Sequence, residues 1–519
     1  MNETIVKHLN FGESAKNKIF QGIDKLTKAV SSTLGASGRC VIMEDSAGNP
    51  QITKDGVTVA NSVILLDPVE NMGAKLIKEA ARKTVIEAGD GTTTATVLAR
   101  AILNEAYKNK DLSPRSIKEG INSAVEKVVK YIEKNSYKIN DKDIQHVATI
   151  SANNDIQLGE LIAEAFQNVG KDGLVIMETH DKPSTEVEVI EGLEYDQGYV
   201  NSNLVTNKTT RDAELINPLV LIVDSPIENI RKIQSVLEHV ITEKKSLLII
   251  ADVEPQVSNA LAMNKVKGNI KVNVIKAPTY GVNRKTTLED LAMVTGAQVV
   301  SEELGDDLDL IDLNCLGSCS KATSSSVKTI IQVKEKTDEV VKTIKKLEKT
   351  YESSSGIIKD NLQKRISTLK GKVSIVRVGA NSEVELKEKK DRVEDAICAT
   401  KAAVKEGIVP GGGIALLNAA VNIKAKNEGE KILLKAIKAP YETILANAGL
   451  DVVYPEVKNK GLNVVTGKEV NMVKAGIIDP LLVTKCALRN AASVATTILS
   501  TDCVINNLRA WDQSASIYW

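Results

Sequence analysis

The sequence predicts a multidomain α and α/β protein in which an α/β domain interrupts a helical one. Three observations predict it: a length of 519 residues, a helical period at both ends, and short apolar runs alternating with helical stretches in the middle. At about 150 residues per domain, the length implies three or four domains. Apolar residues make up 43% of the chain, but 3 Phe and 2 Trp leave cores of Val, Ile, Leu and Ala, which favours many packed helices.

From Ser14 onward, Ile19, Ile23, Leu26, Val30 and Leu34 recur in steps of three and four, marking one face of a helix that ends at Gly35. A second helix is predicted to start at Thr92 to Thr94 and a third to cover Ile117 to Ile132. Further on, Leu219 to Val223, Leu247 to Ala251, Val272 to Ile275 and Gln298 to Val300 are apolar runs separated by helical stretches, the pattern of βαβ units. Lys334 to Lys372 reads as a charged helical hairpin. Val340, Ile344, Leu347 and Tyr351 lie in one arm, Ile358, Leu362 and Leu369 in the other, and Ser353 to Gly356 form the turn. Helices return from Asp391 to Glu406 and after Ala487.

Charge and cysteine content narrow the partners. Lys+Arg 67 balance Asp+Glu 67, so no global field attracts nucleic acid or an anionic membrane, and neither is expected as a partner. No apolar run reaches the roughly 18 residues of a membrane span, and Met1 to Phe11 lacks the apolar stretch of a signal peptide. A soluble, cytoplasmic protein is expected. Cys40, Cys315, Cys319, Cys398, Cys486 and Cys503 are too dispersed for a disulfide framework. Cys315 and Cys319 would need two further ligands to hold a metal, and the 4 histidines are scattered.

Chemistry concentrates in short glycine-containing segments. Gly89-Asp90-Gly91-Thr92-Thr93-Thr94 offers free backbone N–H groups, three hydroxyls and a helix start, which together suit a phosphate. Asp90 opposes a bare anion, and the conflict disappears if a cation sits between carboxylate and phosphate, so Mg-nucleotide is implied. The competing reading is a plain helix cap. Thr33-Leu34-Gly35-Ala36 suits a close backbone approach or an ordinary helix end. Lys54-Asp55-Gly56-Val57-Thr58 presents a carboxylate at a glycine, or a plain turn. Gly411-Gly412-Gly413 precedes the apolar Ile414 to Leu417. Asp395 lies about 200° around its helix from Val393, away from the apolar face. It is either solvated or aimed to orient water at a γ-phosphate. Gly461 to Lys468 comes close to a P-loop but has one residue too many, and Glu469 stands where Ser or Thr belongs.

Taken together, Thr33-Leu34-Gly35, Ile52 to Thr58, Ala88 to Leu98, Arg392-Val393-Glu394-Asp395-Ala396 and Gly411-Gly412-Gly413 resemble a group I chaperonin of the bacterial GroEL type, in a divergent member. Their order and spacing match nearly the whole chain. The resemblance implies a chaperonin fold with an all-α equatorial domain (1–136 and 407–519), a small intermediate domain (137–190 and 373–406) and an inserted α/β apical domain (191–372). It implies an ATP hydrolase that uses ATP, Mg2+ and, as a further cation, K+. It further implies binding of unfolded or partly folded proteins in a homo-oligomeric, seven-membered ring, single or double.

By position, Thr33, Leu34, Gly35, Ala36, Lys54, Asp90, Gly91, Thr92, Thr93, Thr94, Gly412, Asn463 and Asp479 would contact nucleotide. Asp90 would hold the metal, and Asp55 and Asp395 would position and polarise the attacking water. Tyr199, Leu204, Leu237 and Met263 would bind substrate proteins.

The sequence also departs from the family. Ala36 and Ser37 replace Pro and Lys. Asn203, Gln234 and Ser258 stand among the groove positions, so capture of non-native chains should be weaker and a co-chaperonin is doubtful. Glu442 and Asp451 occupy the ring-to-ring positions, where two acids cannot pair. Gly192 and Gly407 keep hinge positions, whereas Lys372 replaces a third hinge glycine. The chain ends in Ser516-Ile517-Tyr518-Trp519, without Gly-Met repeats. A scaffolding ring that uses nucleotide only for assembly is the alternative. A small-molecule enzyme in the α/β section has neither a dinucleotide fingerprint nor a catalytic pair to support it.

Overall fold

In the computed structural model, the described residues are 7–519 except 45–47, 110–111, 171–173, 181, 208–209, 278–281, 335–336, 354–361, 363–364, 367 and 508–519. The chain divides into two compact units. One comprises 1–163, 179–185 and 378–519, and the other 164–178 and 186–377.

The first unit opens with β1 (Lys7–Phe11) and α1 (Gly12–Ser31), then the hairpin β2 (Val41–Glu44) and β3 (Pro50–Thr53). Helices α2 (Gly56–Ser62), α3 (Pro68–Ala88), α4 (Thr92–Tyr107), α5 (Pro114–Lys134), α6 (Asp141–Ser151) and α7 (Ile156–Val169) follow. The apolar stripe of α1 is buried as the spacing requires, with Ile23, Leu26 and Val30 fully enclosed. The helix stops at Ser31, four residues before Gly35. The chain tightens there through bonds from Thr33 N to Val30 O (3.1 Å) and Leu34 N to Ser31 O (3.1 Å), the usual three-residue closure of a helix end.

The second unit contains two sheets. Strands β4 (Leu174–Thr179), β5 (Glu186–Tyr195), β6 (Ala213–Ile216) and β7 (Leu219–Val223) precede α8 (Gln234–Thr242), β8 (Ser246–Ile250), α9 (Pro255–Val266), β9 (Lys271–Ile275), α10 (Val282–Thr295) and β10 (Val299–Val300). Then come β11 (Gly317–Ser318), β12 (Lys321–Ser324), β13 (Thr329–Val333), α11 (Asp338–Ser353) and β14 (Lys372–Val378). The four predicted apolar runs form the order β10-β7-β8-β9, all parallel, with helices between them as βαβ connection demands. The second sheet, β4-β14-β5-β13-β12-β6, was not predicted. Its strands alternate less clearly and pair over long sequence distances. Val340 and Leu369 of the predicted helical hairpin are buried, while Ser354 to Gly356 of its turn and Ile358 lie outside the described residues.

The chain returns to the first unit through α12 (Glu383–Glu406), β15 (Ile408–Pro410), α13 (Ile414–Asn422), α14 (Glu428–Ala436) and α15 (Ala439–Asn447). The hairpin β16 (Lys460–Asn463) and β17 (Lys468–Asn471), then β18 (Ile478–Pro480), α16 (Leu481–Leu499) and β19 (Cys503–Asn507) complete it. The near P-loop of 461–468 is therefore a β-hairpin. Helix α12 starts at Glu383, earlier than Asp391, because Ser382 caps it by accepting the Glu385 N–H (3.2 Å), a stop-start signal independent of apolar period. Helix α16 also begins early, at Leu481. Side chains of α1, α3, α4, α5, α14 and α16 share one aliphatic core that includes Ile102, Ile121, Leu433 and Leu488.

Two predicted hinge glycines have clear steric reasons. Gly407 adopts φ +91°, and a Cβ there would lie 2.5 Å from Tyr137 O, beside the paired Tyr137 and Ile408 strands. Gly192 sits inside β5, where a Cβ would meet Ile331 O at 2.7 Å, and Lys372 pairs opposite Glu191 at the start of β14. Among the described residues, no helix is long and apolar enough to cross a membrane.

Candidate functional site

A cavity of about 620 Å³ lies in the first unit, lined by every nucleotide and catalytic residue predicted from the sequence. Segments more than 400 residues apart meet there, which sequence proximity alone could not show.

Helix α4 points its start into this cavity. Gly91, its N-cap, adopts φ 98°, and no side chain caps the first turn, so the N–H groups of Thr92, Thr93 and Thr94 remain available to an anion. Thr33 bonds Val30 O through Oγ1 (2.8 Å) and lies 3.4 Å from Thr93 Oγ1, bringing the Thr33–Ala36 loop against the same turn. Asn447 donates to Ser31 O (2.8 Å) and Leu34 O (2.9 Å), holding that loop from behind. Sequence reasoning missed Asn447, which carries no motif.

The Lys54–Thr58 segment is a helix start, not a plain turn. Asp55 caps α2 by accepting from Val57 N (3.0 Å) and Thr58 N (2.7 Å). A carboxylate has about four lone-pair directions, so Asp55 keeps acceptor capacity toward the cavity. A Cβ on Gly56 would fall 2.3 Å from Thr93 Oγ1, so only glycine lets α2 and α4 start this close together.

The far side closes with the glycine cluster and the hairpin. Gly413 (φ 79°) caps α13, and a Cβ there would meet Tyr441 N at 2.7 Å. Asn463 ends β16 and accepts from Val465 N (3.0 Å), shaping the hairpin turn. Tyr441, Leu462, Val464, Met472 and Ile477 form an apolar wall there, suited to the flat face of a base. No motif marks these wall residues, because they come from α15, β16 and the connections around β17.

Electrostatics set this cavity apart. Burial raises the Asp90 carboxyl, the Asp55 charge adds to this, and the Gly91 N–H opposes it. Burial, then Asp90 and Asp55, push Asp395 well above the usual carboxylate range. Asp479 is pushed up to about 7 by burial and by Asp90, against a bond from Gly412 N–H. Asp391, also missed, is raised to about 6 by burial and then by Asp55 and Glu394.

The lining cations Lys54 and Arg392 already have partners. Lys54 bonds Asn153 Oδ1, and burial lowers its ammonium. Arg392 pairs with Asp155 (3.3 Å) and Glu388 (2.7 Å). Crowded oxygen donors beside a glycine-lined anion cradle fit Mg2+, which binds through one or two carboxylates plus substrate phosphates. Among the described residues, no group of three His, Cys, Asp or Glu side chains forms a self-contained metal site.

The predicted substrate-binding residues lie in the second unit. Met263 on α9 is 59% exposed, whereas Tyr199 and Leu237 are half-buried. Leu204 needs correction. It is 0% exposed and packs in the core with Val257 and Leu261, so it has no surface for a partner. Ser258 is likewise buried, whereas Asn203 and Gln234 are exposed as expected. At the presumed ring contact, Glu442 accepts a bond from Tyr454 Oη of its own chain.

A helical unit carrying an acidic, glycine-lined cavity, with an α/β unit inserted, defines a chaperonin-type multidomain protein. Residues 26–509 match the TCP-1/cpn60 chaperonin family model, and the chain belongs to that family. Among solved structures it is similar to the chaperonin gp146 from the bacteriophage EL 2 (Pseudomonas aeruginosa), crystallised in the presence of ATP-BeFx. Crystal form II gives a TM-score of 0.74 at 22% identity, covering 98% of this chain and 100% of that one. Crystal form I gives 0.66 at 22% identity, covering 96% and 99%.

Proposed function

We propose that this chaperonin is an ATP hydrolase that couples nucleotide turnover to domain movement and to the folding of non-native proteins captured in a ring. The observation that carries the reading is the convergence of Thr33 to Ala36, Lys54, Asp55, Asp90 to Thr94, Asp395, Gly412, Asn463 and Asp479 on one cavity. The similar gp146 was crystallised in the presence of ATP-BeFx, in keeping with a nucleotide for this chain.

In this reading, the start of α4 and the Thr33 loop bind the phosphates, and the Tyr441 wall takes the base. Mg2+, held by Asp90, would neutralise the charge between carboxylates and phosphate oxygens, with K+ as a further cation. Asp55 and Asp395 orient and polarise the attacking water. Positioning and electrostatics are what phosphoryl transfer asks of a protein.

The reading divides the chain into equatorial (1–136, 407–519), intermediate (137–190, 373–406) and apical (191–372) domains. Helix α12, which carries Asp395, belongs to the intermediate domain. Movement about Gly192 and Gly407 brings Asp395 to the nucleotide. The two gp146 crystal forms match this chain to different TM-scores at one identity, in keeping with a fold that takes more than one shape. The ring is a homo-oligomer, seven-membered, single or double, acting in the cytoplasm. Exposed Asn203 and Gln234 weaken capture of apolar segments and of a co-chaperonin lid.

A steady-state ATPase assay tests the reading. Asp395→Ala should lower kcat about a hundredfold or more, as loss of an acid–base group does, while nucleotide still binds. Wild-type turnover by this variant would refute the assignment.

A further inference from the structure

The following inference rests on the ATPase reading above and extends it to a residue outside the predicted set. Helix α12 presents two carboxylates to the cavity. Asp391 and Asp395 both line it, and four residues on an α-helix place them about 40° apart on one face, one turn from each other.

Their hydrogen bonding separates them from the other acids. Asp55 accepts from Val57 N and Thr58 N, Asp90 from Gly91 N, and Asp479 from Gly412 N. Among the described residues, no hydrogen bond or ion pair holds the carboxylates of Asp391 and Asp395. The nearby guanidinium of Arg392 is taken by Asp155 and Glu388. Asp391 is half-buried and lines the same cavity as Asp55, close enough to feel its charge.

We propose that Asp391 is a further catalytic carboxylate of the ATPase, accepting the proton that the attacking water gives up. The water oxygen bonds to the γ-phosphorus as the bond from that phosphorus to the β–γ bridging oxygen breaks. The electron pair leaves with ADP, one water proton passes to the Asp391 carboxylate, and from there it returns to solvent. Asp55 and Asp395 orient the water, while Asp391 holds its proton.

The charged groups facing Asp391 support this role. Burial, then Asp55 and Glu394, raise its carboxyl to about 6, and Lys387 and Lys390 oppose them. It is ionised at neutral pH yet near enough to neutrality to serve as a base, where general-base efficiency is greatest.

The test is steady-state and single-turnover ATP hydrolysis by the full chain, with wild type beside Asp391→Asn, Asp391→Glu and Asp395→Ala. Asp391→Asn should lower kcat at least ~10-fold, the low end for a general base, with KM held within about twofold. It should also shift the acidic limb of the kcat profile, and Asp391→Glu should restore part of the rate. Wild-type kcat in Asp391→Asn between pH 5 and 8 overturns the proposal. So does a fall in kcat with the acidic limb unshifted, which marks a packing effect. A wild-type protein that hydrolyses no ATP removes the ATPase reading and this inference together, whereas normal turnover indifferent to Asp391 removes this inference alone.

Discussion

At the residue scale, the cavity is costly to leave empty. The half-buried Asp479 has its carboxyl pushed up to about 7 by loss of solvation and by Asp90, against 3.8 in an unfolded chain. The folded state therefore binds more protons than the unfolded state between these values, and stability falls as pH rises through them. At one pKa unit per 1.36 kcal/mol, the full loss is on the order of 4 kcal/mol at most. Asp479→Asn removes the charge but can still meet the Gly412 N–H. In nucleotide-free protein it should raise the thermal midpoint by about 2 °C or more at pH 8 and leave it unchanged at pH 4. Equal midpoints at pH 8 would show that the carboxylate is relieved by other means. The same crowding explains why carboxylates with no obvious place beside a phosphate are nonetheless gathered here: each favours a bound cation.

At the element scale, what was legible followed from local period and what was not depended on distant partners. The stripe of α1, the start of α4 and the body of α5 could be read because each is set within its own segment, whereas α5 begins at Pro114, three residues before Ile117, behind the Ser113 cap. The pairing of β1 with β19 could not, since Leu9 and Ile505 face each other across nearly the whole chain. Within the cavity, Asp90, Asp55 and Asp395 announced themselves by motif, whereas the Tyr441 wall and Asn447 became visible only once α15 and the β16–β17 hairpin were in place. Asp391 lies four residues before Asp395, but no motif marks it, and in the sequence it served only as the start of a helix.

Capping also sets where elements begin. Asp67 caps α3 by accepting from Val69 N (2.8 Å) and Glu70 N (3.1 Å), and it takes a bond from Lys18 Nζ (2.7 Å). Burial raises its carboxyl, but these bonds outweigh burial and hold it below 3.8. Its contribution is thus present above 3.8 and lost as pH falls through the folded value. Asp67→Ala should cost about 1 kcal/mol at the cap, read as roughly fivefold faster hydrogen exchange in the first turn of α3 at pH 7. Unchanged exchange there would assign the start of α3 to packing alone.

At the scale of the whole molecule, the insertion has a simple consequence for folding. The second unit leaves and rejoins the chain at adjacent strands: Glu186 of β5 pairs with Arg377 of β14 in the antiparallel ladder. Its ends are therefore neighbours, and excision leaves no long gap to close. The unit has its own cores, one around Val220, Leu248 and Ile331, the other around Leu221, Leu247 and Val274, which is the requirement for independent folding. Removing 164–185 strips the last residues of α7 and the edge strand β4 of the order β4-β14-β5, and an edge strand contributes ladder bonds on one side alone. Residues 186–377 expressed alone should therefore form a monomer with a cooperative thermal transition by circular dichroism. The exposed Met263 and Val266, 59% and 69% accessible on α9, should let it bind a reduced, unfolded client by fluorescence anisotropy. Met263→Ser with Val266→Ser should weaken that binding about tenfold or more, since each buried apolar side chain contributes about 1.5–3 kcal/mol. A non-cooperative melt would mean that this unit depends on the rest of the chain, and client binding indifferent to the two serines would move the capture surface off α9.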